Sequence, residues 1–214
     1  MALKVKAKKQ SNVPPLDPGV YPAVCAGVVD EGEQWSDYYK KHANKLIFVF
    51  EVVDEWVDVG EGELKPRWLS KEYTASVSPK SNIYRDLTAW RGKEFTAEEA
   101  EEFDMGSMVG QGCQIQVMKK EKDGKSYNNI QSIIGLPKGM KLDPPISETF
   151  AIDLANMTQA EKDLEKIPEW MRERVRNSTE WKRFHDGSEP VDIDDEPVNE
   201  PVKEAKKELD DIPF

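Results

Sequence analysis

Cysteine and histidine are almost missing from this sequence: Cys25, Cys113, His42 and His185 are all that occur in 214 residues. Neither histidine has a Cys or His neighbour at zinc spacing, which leaves no framework for a zinc site. No glycine-rich phosphate loop of the P-loop or dinucleotide type occurs. The 41 acidic residues always allow some carboxylate pair to meet, but none is set in a pattern that suggests acid–base or metal work. These gaps point to a non-enzymatic protein with no cofactor and no metal. No apolar run approaches the roughly 18 residues that span a bilayer. The opening MALKVKAKKQ lacks the apolar stretch of a signal peptide, so a cytoplasmic protein with no membrane partner is expected. Cys25 and Cys113 both lie in apolar strand-like runs, and buried reduced thiols are expected rather than a disulfide.

What is abundant is charge, and it is unevenly spread. The formal net charge is -11, yet residues 1–150 carry 20 Lys/Arg against 23 Asp/Glu, residues 151–186 carry 7 against 8, and residues 187–214 carry 3 against 10. The whole chain is too acidic for an obvious polyanion binder. With the last segment set aside the body is near neutral, and a local basic groove becomes possible.

The organisation follows from turn and strand signals. Residues 1–18, with Lys4, Lys6, Lys8 and Lys9 before Pro14, Pro15 and Pro18, read as a flexible basic arm. Strand-like runs follow at Val20–Val29, Lys45–Val53, Arg67–Ser76, Cys113–Lys120 and Tyr127–Ile134. The last two flank an Asp123-Gly124 hairpin signal. Between the third and fourth runs, Ser81 opens a helical spacing and Thr96-Ala97-Glu98-Glu99 matches a capping box. A mainly β chain with helical insertions is expected, its residues 19–145 forming a five-stranded OB-fold barrel with a helix between strands three and four. Thr158-Gln159-Ala160-Glu161 opens a helical extension over 146–186, where Pro168 fits a first turn and Trp170, Met171, Val175, Trp181 and Phe184 supply apolar faces. Those side chains are expected to pack back on the barrel, or else to serve a partner. Residues 187–214 are too polar to bury a core and read as a disordered acidic tail.

Binding chemistry is better supplied than catalytic chemistry. Trp35, Tyr38 and Tyr39 stand beside Lys40 and Lys41 in what should be a loop between the first two strands. Rings that stack on splayed bases, with cations that follow phosphates, are what single-stranded DNA binding requires, and the alternative is a lid on the core. Lys119, Lys120, Lys122 and Lys125, followed by Tyr127, form a second basic group in the hairpin, which could equally be an ordinary solvated turn. In an OB-fold these two loops bracket one face. Leu46, Phe48, Phe50 and Val52 share a parity assigned to the core. Trp68 and Tyr73 have opposite parity, so at most one can stack on DNA, with Arg67 and Lys71 as nearby phosphate contacts.

The last residues, Asp210-Asp211-Ile212-Pro213-Phe214, resemble the acidic C-terminal tip of bacterial single-stranded DNA-binding proteins. That tip implies docking of replication and repair proteins: a terminal Phe ring and carboxylate for an apolar pocket with a basic rim, and Asp residues that add attraction. Upstream, Gly19-Val20-Tyr21-Pro22-Ala23, Val28-Val29-Asp30-Glu31-Gly32 and Val109-Gly110-Gln111-Gly112-Cys113 look like phage-encoded single-stranded DNA-binding proteins, over roughly residues 13–140. The resemblance implies an OB-fold, sequence-independent binding of single-stranded DNA in phage replication, recombination and repair, and partners among host or phage proteins in the bacterial cytoplasm. The competing reading is an adaptor or decoy that captures host repair proteins through the tip without useful DNA affinity.

Overall fold

A computed structural model describes residues 13–36, 40–60, 62–122 and 124–187. The arm residues 1–12, Tyr38, Tyr39, the tail from Ser188 and the tip Asp210–Phe214 lie outside the described residues. One mainly antiparallel sheet contains β1 (Gly19–Ser36), β2 (Lys41–Asp58), β3 (Leu64–Thr74), β4 (Gly112–Lys122) and β5 (Lys125–Ile134), in the spatial order β3-β2-β1-β4-β5. A short β6 (Phe150–Ile152) adds parallel to β1 at Gly27–Val29.

All five expected strands are present, but β1 and β2 run further than their apolar stretches. Their ladder continues through Glu33↔Asn44 and Trp35↔His42 to Ser36↔Lys41, because a hairpin can keep its backbone bonds where side chains are polar. Trp35, Ser36, Lys41 and His42, expected in a loop, are therefore in strands. Between β3 and β4, α1 (Asn82–Arg91) starts where Ser81 Oγ accepts the Tyr84 N–H at 3.2 Å and ends at Gly92, whose φ is 70°. The Thr96/Glu99 capping box opens α2 (Ala97–Glu101) as its spacing predicts.

β2 explains the layering. Leu46, Phe48, Phe50 and Val52 enter one core with Cys25, Ile115, Ile133 and the α1 residues Ile83, Leu87 and Trp90. Ile47 and Val49, of the other parity, enter a second core with Val29, Phe150, Leu164, Ile167, Met171 and Val175. The β1–β2 portion of the sheet is thus buried on both faces. Cys25 and Cys113 are free and buried, and burial pushes the Cys25 thiol up to about 12.

No backbone pairing joins β3 to β5 among the described residues, so the sheet is not closed into the barrel expected from the strand count. Its two edges are nevertheless bridged by side chains. Arg67 Nη2 on β3 donates to Asn128 Oδ1 on β5 at 3.3 Å, and Lys71 Nζ donates to the Gln131 carbonyl at 3.0 Å.

The second core is built by the chain after β5: β6, then α3 (Met157–Asp163), α4 (Glu169–Asn177) and α5 (Thr179–Asp186). α3 is capped by Asn156, ahead of the Thr158 box expected there, and Met157 goes to the core. Pro168 directly precedes α4, and the aromatic and apolar residues of α4 and α5 divide. Met171 and Val175 are buried and Trp181 packs partly, while Trp170 and Phe184 remain 45% and 53% exposed. Polar clasps hold this extension on the sheet. Glu51 accepts the N–H groups of Ile146 and Ser147 at 2.6 and 2.9 Å, and Gln34 Nε2 donates to the Arg174 carbonyl at 3.0 Å. Arg174 reaches Glu31 and Glu72, each at 2.6 Å. No helix among the described residues is long and apolar enough to cross a membrane.

Glu31 is fully buried, and neither of its oxygens makes a well-aligned hydrogen bond among the described residues despite the closeness of Arg174. Burial lifts its carboxyl from 4.5 to about 7, against the pull of Arg174. In the unfolded chain the same group ionises near its ordinary value, so from about pH 4.5 to 7 the folded state holds the extra proton and stability falls as pH rises. The loss is complete above about pH 7 and is on the order of 3 kcal/mol. Glu31→Gln should flatten this slope in melting temperatures taken between about pH 5 and 8; an unaltered slope would assign the dependence to another group.

Candidate nucleic-acid interface

Alternation along β3 sends its candidate residues into the fold. Tyr73 is 4% exposed and donates its hydroxyl to Asp86 Oδ2 at 2.8 Å, which removes it as a stacking ring. Lys71 Nζ meets the same carboxylate oxygen at 2.5 Å, and burial holds its ammonium below the usual lysine range in spite of Asp86. Arg67 is 8% exposed and donates to the Pro14 carbonyl at 2.6 Å, so it pins the chain entering β1. Trp68 lies under the extension, its Nε1 donating to Ser147 Oγ at 3.0 Å and its ring 5.7 Å from that of Phe150. All four residues are tied into the structure.

At the β1–β2 turn, Trp35 is 52% exposed with its ring edge-on to His42 at 5.1 Å. His42 Nδ1 lies 3.5 Å from Glu33. Lys40 takes the turn with φ of 51°, and Lys41 is paired in the ladder with Ser36.

The β4–β5 hairpin is more open. Asp123 of the expected Asp-Gly turn lies outside the described residues; the ladder ends at the Lys122↔Lys125 pair, and Gly124 has a φ of 71°. Lys120 stands directly opposite Tyr127 in the register. Lys120 and Lys125 are exposed, and Tyr127 is 42% exposed. Lys119 points away and pairs with Asp17 at 2.7 Å, a contact that holds the Asp17 carboxyl below its usual range. Asn128 exchanges two hydrogen bonds with the backbone of Leu16, at 2.8 and 2.9 Å, and seats the entering chain beside the hairpin. Arg67, Trp68 and Tyr127 share a groove of about 320 Å³ with Val13 and Ser70, between β3 and β5.

The two basic turns were expected to bracket one face. The register sets the β4–β5 tip beyond the Gly19 end of β1 and the β1–β2 tip at its Ser36 end. A further ring went unnoticed in the sequence: Trp56, 46% exposed, stands with Val59 and Leu64 near the β2–β3 turn. Asp54, Glu55, Asp58 and Glu63 lie along the same stretch, a poor setting for phosphates. Among the described residues no group of His, Cys, Asp and Glu is arranged to hold a metal. Neither a protein-family model nor a curated protein matches this chain.

Proposed function

We propose that the protein binds single-stranded DNA without sequence preference, on an OB-type sheet, and recruits replication and repair proteins through Asp210–Phe214. The observation that carries the reading is the Lys120–Tyr127 pair, an open ring beside a cation on neighbouring strands, with Lys122 and Lys125 next in the ladder. Directly opposed residues on antiparallel strands hold their Cβ atoms about 5 Å apart, so one nucleotide can stack on the ring while its phosphate meets the ammonium. The strand order, the helix between β3 and β4, and the bridged β3 and β5 edges favour a partly open OB barrel. Such a protein acts passively: lysines release counterions from the backbone, rings hold the bases apart, and the strand is kept from nucleases and from pairing. This suits phage DNA replication, recombination and repair in a bacterial host's cytoplasm.

Titration of a fluorescent oligonucleotide at two salt concentrations tests the reading. Micromolar or tighter, salt-weakened binding is expected. Absence of binding at low salt, even with the tail removed, would leave only the adaptor reading. Because residues 187–214 hold ten acidic residues, a tethered tail at an effective concentration of order millimolar competes for the same lysines. Ending the chain after Gly187 should therefore tighten binding, most at low salt, where screening is weakest. Removing only Ile212, Pro213 and Phe214 should leave DNA affinity unchanged and abolish capture of host proteins that recognise that tip.

A further inference from the structure

The sheet has two outward surfaces, and the chain treats them differently. Across β1, β2 and β3 the outward residues include Val29, Ile47 and Val49, all buried beneath the extension, and Trp68, half-buried there. Nearer the middle of β1, Val24 is 2% exposed beside the connecting residues Leu142 and Pro144. Along β4, Ile115 and Val117 face the core, which turns Gln114, Gln116, Met118 and Lys120 outward. The register then fixes their neighbours: Met118 opposite Asn129, Gln116 opposite Ser132 on β5 and Val20 on β1, and Gln114 opposite Ile134. Nothing covers this second surface among the described residues. Val20, Met118 and Ile134 are 56%, 41% and 43% exposed.

We infer that this open surface of β4, β5 and the start of β1 is a nucleobase track that continues from the Lys120–Tyr127 pair and carries the single strand across the sheet. The inference rests on the DNA-binding reading above and adds residues that reading does not use. Charge singles out the occupant. In a chain of net charge -11, the paired positions of this surface include Lys120 and no carboxylate, since Glu121 pairs with Ser126 on the opposite face. Another exposed apolar site, at Trp56, has Asp54, Glu55, Asp58 and Glu63 along the same stretch. The chemistry also fits bases better than a protein partner's apolar face. Met118, Val20 and Ile134 offer flat contact, while Gln114, Gln116 and Asn129 present amides able both to donate to and accept from any base edge. Gln116 is already held by Ser132, whose hydroxyl lies 3.1 Å from its Oε1, leaving its amide N–H groups to donate.

The test uses the full chain, a fluorescent oligothymidylate, and the variants Met118→Glu, Ile134→Glu and Met118→Lys. Each Glu variant should weaken binding about tenfold with the melting temperature and the light-scattering mass unchanged, and Met118→Lys should tighten it. If the Glu variants bind like wild type while Tyr127→Ala loses affinity, the track is wrong and the hairpin reading stands. If wild type and all variants fail to bind, the DNA reading falls and the track with it. A drop in mass for Met118→Glu would assign the surface to a second copy of the chain and overturn the proposal. Should the Glu variants unfold, Met118→Lys alone decides, since unchanged or weaker binding by that variant contradicts the track.

Discussion

Reversing Lys120, Lys122 and Lys125 to Glu together is expected to lower oligonucleotide affinity by about two to three orders of magnitude at roughly 50 mM salt. Each phosphate neutralised on a single strand contributes about 0.7 to the slope of log affinity against log salt, so three cations account for a slope of about 2. The variant should show that much flatter a salt dependence, and its deficit should shrink as salt rises. The fold should survive, because Lys120 and Lys125 are exposed and Lys122 sits in the last pair of the ladder. Lys119 is left unchanged because its ion pair with Asp17 ties the entering chain to β4. Tyr127→Ala provides the contrast: it should weaken binding by roughly tenfold or more through lost stacking, with the slope intact, because stacking releases no counterions. A triple variant with wild-type affinity and slope would remove the hairpin from the interface.

Strand existence was legible in the sequence because β-branched and aromatic runs bounded by turns do not fit a helical period, and the Ser81 and Thr96 caps marked their helices by local chemistry alone. The ends of β1 and β2 were not, since Glu33, Gln34 and Asn44 are held by partners on the adjacent strand rather than by propensity. β2 carried one clue that alternation alone does not use. Leu46 to Phe50 is apolar at every position, the mark of a strand covered on both faces. Ile47 and Val49 thus announced a second layer, and the apolar residues of 146–186 were there to provide it. Among the candidate binding residues, parity placed Tyr73 and Trp68 on opposite faces, but it could not tell that Asp86 would claim Lys71 and Tyr73 together. That contact spans β3 and α1, and nothing local in the sequence encodes it.

Phe150→Ala is expected to cost about 3–5 kcal/mol, the range for truncating a buried aromatic ring, because Phe150 joins the extension to the sheet. It is 4% exposed, packs on Trp68, and lies over Gly27 so closely that a Cβ there would sit 2.1 Å from its ring. Gly27 is needed for that approach and has no positive φ to justify it otherwise. Gly27→Ala should therefore destabilise the protein strongly by itself, forcing Phe150 and β6 off β1. In the Phe150→Ala background the same substitution should cost much less, since the atoms it strikes are gone, and the two effects measured by chemical denaturation should be far from additive. Additive costs would mean that Gly27 matters for some reason other than this ring. The same pair of variants bears on the DNA surface. Loosening the extension exposes Ile47, Val49 and Trp68 without touching Lys120, Met118 or Tyr127. At temperatures where Phe150→Ala remains folded, oligonucleotide affinity should stay at the wild-type level. A marked gain in affinity would show instead that the covered β1–β2–β3 face is the stronger DNA surface and that the extension holds it shut.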